Sequence, residues 1–147
     1  MNAVAPDEAT TRAAVERVAA LFERLTPADV EALGRHYTED AWFKDPFNEV
    51  RGLPAVQRIF RHMFEALEAP RFVVTSRIAG AGECFLAWDF HFGLRGRALT
   101  IRGASHLRFA ADGRVAWHRD YWDAAEELYE KLPVLGVLMR WLKRRAQ

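Results

Sequence analysis

Gly103-Ala104-Ser105-His106-Leu107-Arg108-Phe109-Ala110-Ala111-Asp112-Gly113-Arg114-Val115-Ala116-Trp117-His118-Arg119-Asp120-Tyr121-Trp122 is the stretch that decides the fold. Asp112-Gly113 at its centre, between two strand-like runs, marks a β-hairpin. With a two-residue turn there, Ala111 pairs with Arg114. Counting outward sets Ser105 opposite Asp120, Leu107 opposite His118 and Gly103 opposite Trp122, and strand alternation points these six to one face. A longer loop, Ala110 to Gly113, sets Ser105 opposite His118 instead and leaves the face the same. The other face carries Arg102, His106, Arg108, Arg114 and Arg119 with a few apolar residues, a surface for solvent or a partner. Ser105, His118 and Asp120 therefore enter the inside of a sheet, where polar groups call for an explanation.

Upstream, Phe72 to Ile78, Cys84 to Phe92 and Ala98 to Phe109 are strands rich in aromatic and branched residues, and Arg114 to Trp122 completes the set. Gly80-Ala81-Gly82, the Gly93 to Gly96 stretch and Asp112-Gly113 are the turns between them. Before them come helices. Val15, Val18, Phe22 and Leu25 recur at helical spacing. Thr26-Pro27-Ala28-Asp29 starts a second helix with a capping hydroxyl, a proline at its first position and an acid at the positive end of its dipole. Val30, Leu33 and Tyr37 carry its apolar stripe. Ala41 to Asp45 reads as a short strand, ended by Pro46. A third helix follows Gly52, with Val56, Ile59, Phe60, Met63 and Leu67 as its buried face until Pro70 stops it. Three helices around one strand, then four antiparallel strands, is an α+β pattern with helices packed on one face of a curved sheet.

The chain has 147 residues, 50% apolar and 28% charged, which suits one folded domain, residues 1–147, and excludes disorder. With 21 basic and 20 acidic residues the formal charge is +1, so no general basic excess points to nucleic acid. The one cysteine, Cys84, excludes an internal disulfide framework and a multi-cysteine zinc site. Met1 to Glu8 lacks the charged and apolar regions of a secretory signal, and no apolar run is long enough for a membrane span. The expected location is cytoplasmic. Residues 123–147 form a helical extension, acidic at Asp123, Glu126 and Glu127 and basic at Lys143, Arg144 and Arg145, with Pro133 and Gly136 breaking it in two. Its apolar run Leu132 to Leu142 suits a cover for the mouth of a pocket or a contact with a second subunit better than a membrane-surface helix.

The strand Cys84 to Phe92 has one purely apolar face, Cys84, Leu86, Trp88, Phe90 and Phe92, and one carrying Phe85, Ala87, Asp89 and His91. Either can meet a cavity. If the apolar face packs as a layer or interface, Asp89 and His91 line the hollow. No phosphate-cradling glycine loop, nucleophile elbow or dinucleotide fingerprint is present, and the scattered acids and histidines form no compact metal motif. His36 and His62 lie on helices and are expected at the surface or satisfied in place.

The run Tyr37-Thr38-Glu39-Asp40-Ala41-Trp42-Phe43-Lys44-Asp45-Pro46-Phe47-Asn48, then Gly52 and a helix, resembles the signature of the nuclear transport factor 2-like superfamily, above all its ketosteroid isomerases and SnoaL-like polyketide cyclases. Leu107-Arg108-Phe109, Asp112-Gly113-Arg114-Val115 and Tyr121-Trp122 match the last hairpin of that group, so the resemblance covers most of Thr26 to Trp122. It implies a cone: a strongly bent, mostly antiparallel sheet around a pocket, closed behind by three helices, with the C-terminal helix an addition. It also implies a homodimer through the outer sheet face. Asp45 takes the place of the isomerases' general base. The places of their oxyanion-hole tyrosine and protonated aspartate fall on Leu21 and Ser105, and that of a supporting tyrosine on Phe60. Without those donors the largest catalytic contribution is missing, which argues against steroid isomerisation itself. In the SnoaL-like cyclases a cavity aspartate does the acid-base work, and in limonene epoxide hydrolases two aspartates and an arginine position a water. Asp89, His91 and Asp120 are similar in kind.

The expectation is a small-molecule enzyme of isomerase, cyclase, dehydratase or hydrolase type, without cofactor or metal, working on a hydrophobic substrate. Asp45 is the leading base and Asp120 the second acid-base group, with Asp89 and His91 as further candidates. Ser105 and His118 orient or donate, while Phe47, Phe60 and Trp122 supply apolar wall. The competing expectation is a non-catalytic ligand-binding or dimerisation module on the same cone.

Overall fold

The computed structural model describes residues 4–129 together with Trp141, Arg144 and Arg145. Helix α1 spans Glu8–Glu23, capped by Asp7, whose carboxylate accepts from the Thr10 amide at 2.7 Å. Its buried face is the expected one, with Val15, Val18 and Phe22 joined by Ala14 and Leu21. Helix α2, Pro27–Glu31, begins with the expected cap: the Thr26 hydroxyl accepts from the Asp29 amide, and Asp29 accepts from the Thr26 amide. It is shorter than its periodicity implies. A 3-10 turn, Leu33–Arg35, follows, and Tyr37 opens strand β1, Tyr37–Lys44, rather than closing the helix. Pairing of Tyr37 with Val115 and burial of its ring outweigh the helical spacing of Val30, Leu33 and Tyr37.

Strand β2, Glu49–Arg51, is too short to leave a period in the sequence. Helix α3, Leu53–Ala66, starts after Gly52, whose φ of 100° suits glycine, and ends before Pro70 is reached. Strand β3, Glu68–Ala79, contains Pro70 at an irregularity between Glu68 and Arg71, on the sheet's edge, where a missing N–H is tolerated. Strands β4, Glu83–Leu94, β5, Arg97–Phe109, and β6, Val115–Tyr121, complete one six-stranded sheet in the order β2-β1-β6-β5-β4-β3. Only β1 and β6 run parallel. The sheet is curved and unclosed, and its register shifts mark the bulges that bend strands.

The last hairpin reaches the expected register by an unexpected route. Ala110 N–H donates to the Arg114 carbonyl at 2.8 Å, so the loop has three residues, Ala111 to Gly113, with Gly113 at φ 86°. Phe109 then faces Val115, but Arg108 faces Trp117, which leaves Ala116 as an extra residue. The longer loop and the bulge cancel, and Ser105 faces Asp120 and Leu107 faces His118.

Helices α1 and α3 cover the inner face, with Val18, Leu21 and Phe22 from α1 and Val56 and Phe60 from α3 in the same core as Leu86, Trp88, Leu107 and Val115. Among the described residues, no helix is long and apolar enough to cross a membrane. Of the predicted extension 123–147, Ala125–Tyr129 forms a π-helical turn, and the Leu132 to Leu142 run lies outside the described residues except for Trp141.

Gly103 is the tightest joint of the sheet. A β-carbon there would sit 2.5 Å from the Trp88 ring, whose Nε1 is held by Ser105 Oγ at 2.9 Å. Gly103→Ala should cost about 1–3 kcal/mol, read as a lower urea midpoint, because the indole cannot withdraw without breaking that bond. An unchanged midpoint would show that the ring is free to shift.

Candidate active site

A cavity of ≈ 450 Å³ opens between the inner face of the sheet and α3. Its walls are aromatic: Phe43 and Phe47, Phe60 from α3, Phe72, Trp88, Phe90 and Phe92 from β3 and β4, and Trp122 just past β6. Three carboxyl groups share it, Asp45, Asp120 and Glu49, and Glu49 is paired with Lys44 at 3.1 Å.

Asp45 sits immediately after β1, at the turn into β2. Its Oδ1 accepts from the Phe47 amide at 2.8 Å and the Asn48 amide at 2.7 Å, and the Asn48 side-chain amide reaches both oxygens at 3.1 Å. The Asp45-Pro46-Phe47-Asn48 turn thus anchors the carboxyl and aims Phe47 at Trp122, with ring centroids 5.3 Å apart. Burial pushes the Asp45 carboxyl above its ordinary value. The charge of Asp120 acts in the same direction, while the bonds from Phe47 and Asn48 pull back.

Asp120 ends a directed chain of hydrogen bonds across four strands. Trp88 Nε1 can only donate, so Ser105 Oγ accepts from it and gives its own proton to Asp120 Oδ1 at 2.5 Å. On the other side, burial holds the Tyr37 phenol well above its usual value, so it stays protonated, and its hydroxyl is hydrogen-bonded to His118 Nδ1 at 2.8 Å. His118 Nε2 donates in turn to Asp120 Oδ1 at 2.6 Å, since a carboxylate oxygen accepts. Ser105 and His118 thus both give a proton to Asp120 Oδ1. Among the described residues, Asp120 Oδ2 accepts nothing from the protein.

Of the sequence-predicted residues, Asp45, Asp120, Phe47, Phe60 and Trp122 line the one cavity. Ser105 and His118 share their face but lie behind it, holding Asp120 rather than touching a ligand. The His118 ring is enclosed by Phe22, Tyr37, Phe43 and Phe60. Asp89 and His91 are placed elsewhere. Trp88 pairs with Gly103 and Phe90 with Ile101, so the apolar face of β4 lines the cavity and turns Asp89 and His91 to the outer face, where His91 bonds Thr100 at 2.9 Å. A cavity this apolar takes the hydrophobic side of an ambiguous strand. His62, expected at the surface or satisfied in place, is half-buried on the cavity wall, one helical turn from the exposed Arg58, for which the sequence suggested no role. The spacing Ala55, Arg58, Ile59, His62, Met63 and Ala66 was the available signal, lying beside the stripe assigned to the core. The Cys84 thiol is pushed up to about 12 by burial, which keeps it protonated and unreactive.

A cone of this kind, with acids in an aromatic hollow, defines the nuclear transport factor 2-like fold class. The chain belongs to the SnoaL-like domain family, whose model matches residues 18–118. Among solved structures it resembles an LEH-like epoxide hydrolase of M. tuberculosis, at 18% identity and a TM-score of 0.69, covering 87% of this chain and 98% of that one. It also resembles a hypothetical protein of Catenulispora acidiphila with a ketosteroid isomerase-like fold in complex with trimethylamine, at 16% identity, TM-score 0.68, covering 81% and 92%. A third likeness is an NTF2-like protein of unknown function from Burkholderia pseudomallei, at 18% identity, TM-score 0.69, covering 82% and 95%. At these identities the likenesses establish the fold. No curated protein matches the chain.

The raised Asp45 value sets a sign for stability. A carboxyl whose folded value exceeds its unfolded one stabilises the fold while protonated, and that contribution is lost as pH rises through the folded value. Asp45→Asn keeps an acceptor oxygen for the Phe47 and Asn48 amides and has no charge to desolvate. The stability difference between the two proteins should therefore move in favour of the variant as pH rises above the ordinary carboxylate range. Urea titrations at stepped pH measure it, and a pH-independent difference contradicts the desolvation account.

Proposed function

We propose that this protein is a cofactor-independent acid-base enzyme of isomerase, cyclase, dehydratase or hydrolase type, acting on a hydrophobic small molecule. The observation that carries the reading is that two carboxyl groups, one raised by burial and by the charge of the other, open on the same aromatic cavity. Environments that treat two acids differently allow one site to take a proton and to give one. Asp45 is the proton carrier, because its raised value brings it toward the pH at which a base is both free and strong enough to act. Asp120 Oδ2 is the open acceptor that holds a substrate hydroxyl or an attacking water. The chain through His118 and Ser105 keeps that oxygen in one place.

In a proton transfer on carbon, ionised Asp45 takes the proton from one position and protonated Asp45 returns it to another. In the opening of an epoxide by water, Asp120 orients the water and takes its proton as the new C–O bond forms, while the ring C–O bond breaks and protonated Asp45 gives its proton to the leaving oxygen. The aromatic walls exclude bulk water and strengthen both interactions. A relative in fold, the M. tuberculosis protein, is an LEH-like epoxide hydrolase, which supports hydrolysis as one of the chemistries to examine.

Deuterium incorporation into hydrophobic cyclic ketones in D2O, with ring opening of hydrophobic epoxides in parallel, detects either step without a known substrate. The wild type should accelerate at least one of them, with an acid limb above the ordinary aspartate value, and Asp45→Asn should lose about 100-fold or more. No acceleration over buffer, or an Asp45→Asn variant as active as wild type, removes the catalytic reading and leaves a binding module.

A homodimer through the outer sheet face belongs to the same proposal. That face carries a ladder of rings, Phe85 on His106 at 4.2 Å, His106 against Trp117 at 4.9 Å, and Trp117 on Trp42 at 4.9 Å. Ile78, Phe85 and Tyr121 are exposed on it at 69%, 43% and 46%. Light scattering should give twice the chain mass for the wild type and a monomer for Phe85→Asp; a monomeric wild type overturns the dimer.

A further inference from the structure

Among the described residues, the acids of the cavity are answered from within the protein, and two of its three bases are not. Asp120 accepts from His118 and Ser105, and Asp45 accepts from two backbone amides and Asn48. Glu49, also on the wall, pairs with Lys44 at 3.1 Å. Helix α3 presents exposed Arg58 and half-buried His62 to the same hollow, four residues apart on one side of the helix. Among the described residues, neither side chain has a hydrogen bond, an ion pair or a ring partner. Arg145 reaches the same cavity but is engaged, 3.6 Å from Glu65 and stacked at 5.0 Å over Trp141.

Among the described residues, the cavity therefore holds carboxyl groups that are already hydrogen-bonded and, on α3, a guanidinium and an imidazole without partners. A guanidinium is always charged and forks onto a carboxylate with two parallel bonds. None of Leu21, Ser105 and Phe60 offers a donor to the hollow, since Ser105 spends its proton on Asp120. The α3 pair is thus where negative charge on a bound molecule can be met.

We propose that Arg58 and His62 form an oxyanion-recognition site on the cavity wall, and that the ligand is a hydrophobic acid whose carboxylate sits on Arg58 while its apolar body fills the aromatic cup. This names the substrate class of the acid-base reading above and rests on it for the word substrate; the binding preference stands by itself.

Three probes with one hydrocarbon and different heads test it: 4-phenylbutyrate, 4-phenylbutan-1-ol and 4-phenylbutylamine, titrated by calorimetry at low salt. The acid should bind roughly tenfold tighter than the alcohol. Arg58→Gln should bring the acid down to the level of the alcohol without changing the alcohol itself, whose unaltered affinity shows that the cup is intact. His62→Gln should weaken the acid by a smaller factor. The proposal is overturned if the acid binds no tighter than the alcohol, if Arg58→Gln weakens both alike, if the amine binds tightest, or if none of the three binds. These readings involve no turnover. A lost charge preference leaves proton transfer by Asp45 in place, and a failure of deuterium exchange leaves the binding preference in place.

Discussion

The structure is organised around the need to satisfy Asp120 inside a sheet. A carboxyl on an inner face costs several kcal/mol unless donors reach it, so the residues beside it are constrained in type and direction. Tyr37 on β1, His118 on β6, Ser105 on β5 and Trp88 on β4 meet that need in one chain of bonds running across the sheet. The chain has consequences for packing. Trp88 must lie flat against β5 to reach Ser105, and only glycine at 103 leaves room for it. Phe22, Phe43 and Phe60 close over the imidazole, which therefore has to use both nitrogens within the protein.

From this arrangement the character of the cavity follows. Because one oxygen of Asp120 is fully engaged, the other is left to the hollow, and because the walls are aromatic, its charge is felt by Asp45. Asp45 itself is held by a turn rather than by a strand, with amides at one end and the ring of Phe47 at the other. Structural anchor and reactive carboxyl are the same group. The local hydrogen bonds that hold it in place limit how far burial can raise it, and so keep it titratable.

The outer face follows a different rule. There the arginines cover rings: Arg108 lies 4.6 Å over Trp117, while also meeting Glu83 at 3.5 Å, and Arg119 lies 4.7 Å over Tyr121. His106, counted with the arginines as surface on sequence grounds, is in fact buried between Phe85 and Trp117 and bonded to Glu83 at 3.0 Å. A strand face that alternates arginine with aromatic residues is neither a solvent face nor a core.

Alternation and turn chemistry, which are local, were enough to place Ser105, His118 and Asp120 on one inner face and to set the helices before the strands. The register across the last hairpin is one of the two that the sequence allowed, but the three-residue loop and the bulge at Ala116 that produce it were not legible, since both depend on how β6 bends to pair with β1 as well as β5. The Asp45-Pro46 step was legible as a strand end, and its place in a hollow as a resemblance. Which side of β4 meets that hollow had to await the tertiary structure, because both faces of Cys84 to Phe92 alternate equally well and only the covering helices select the apolar one. The same holds for Tyr37, whose helical spacing yields to a partner 81 positions away, and for Arg58 and His62. A side chain's distance from the helix axis says nothing of what stands across from it; long-range packing alone turned the flank of α3 into one wall of the site.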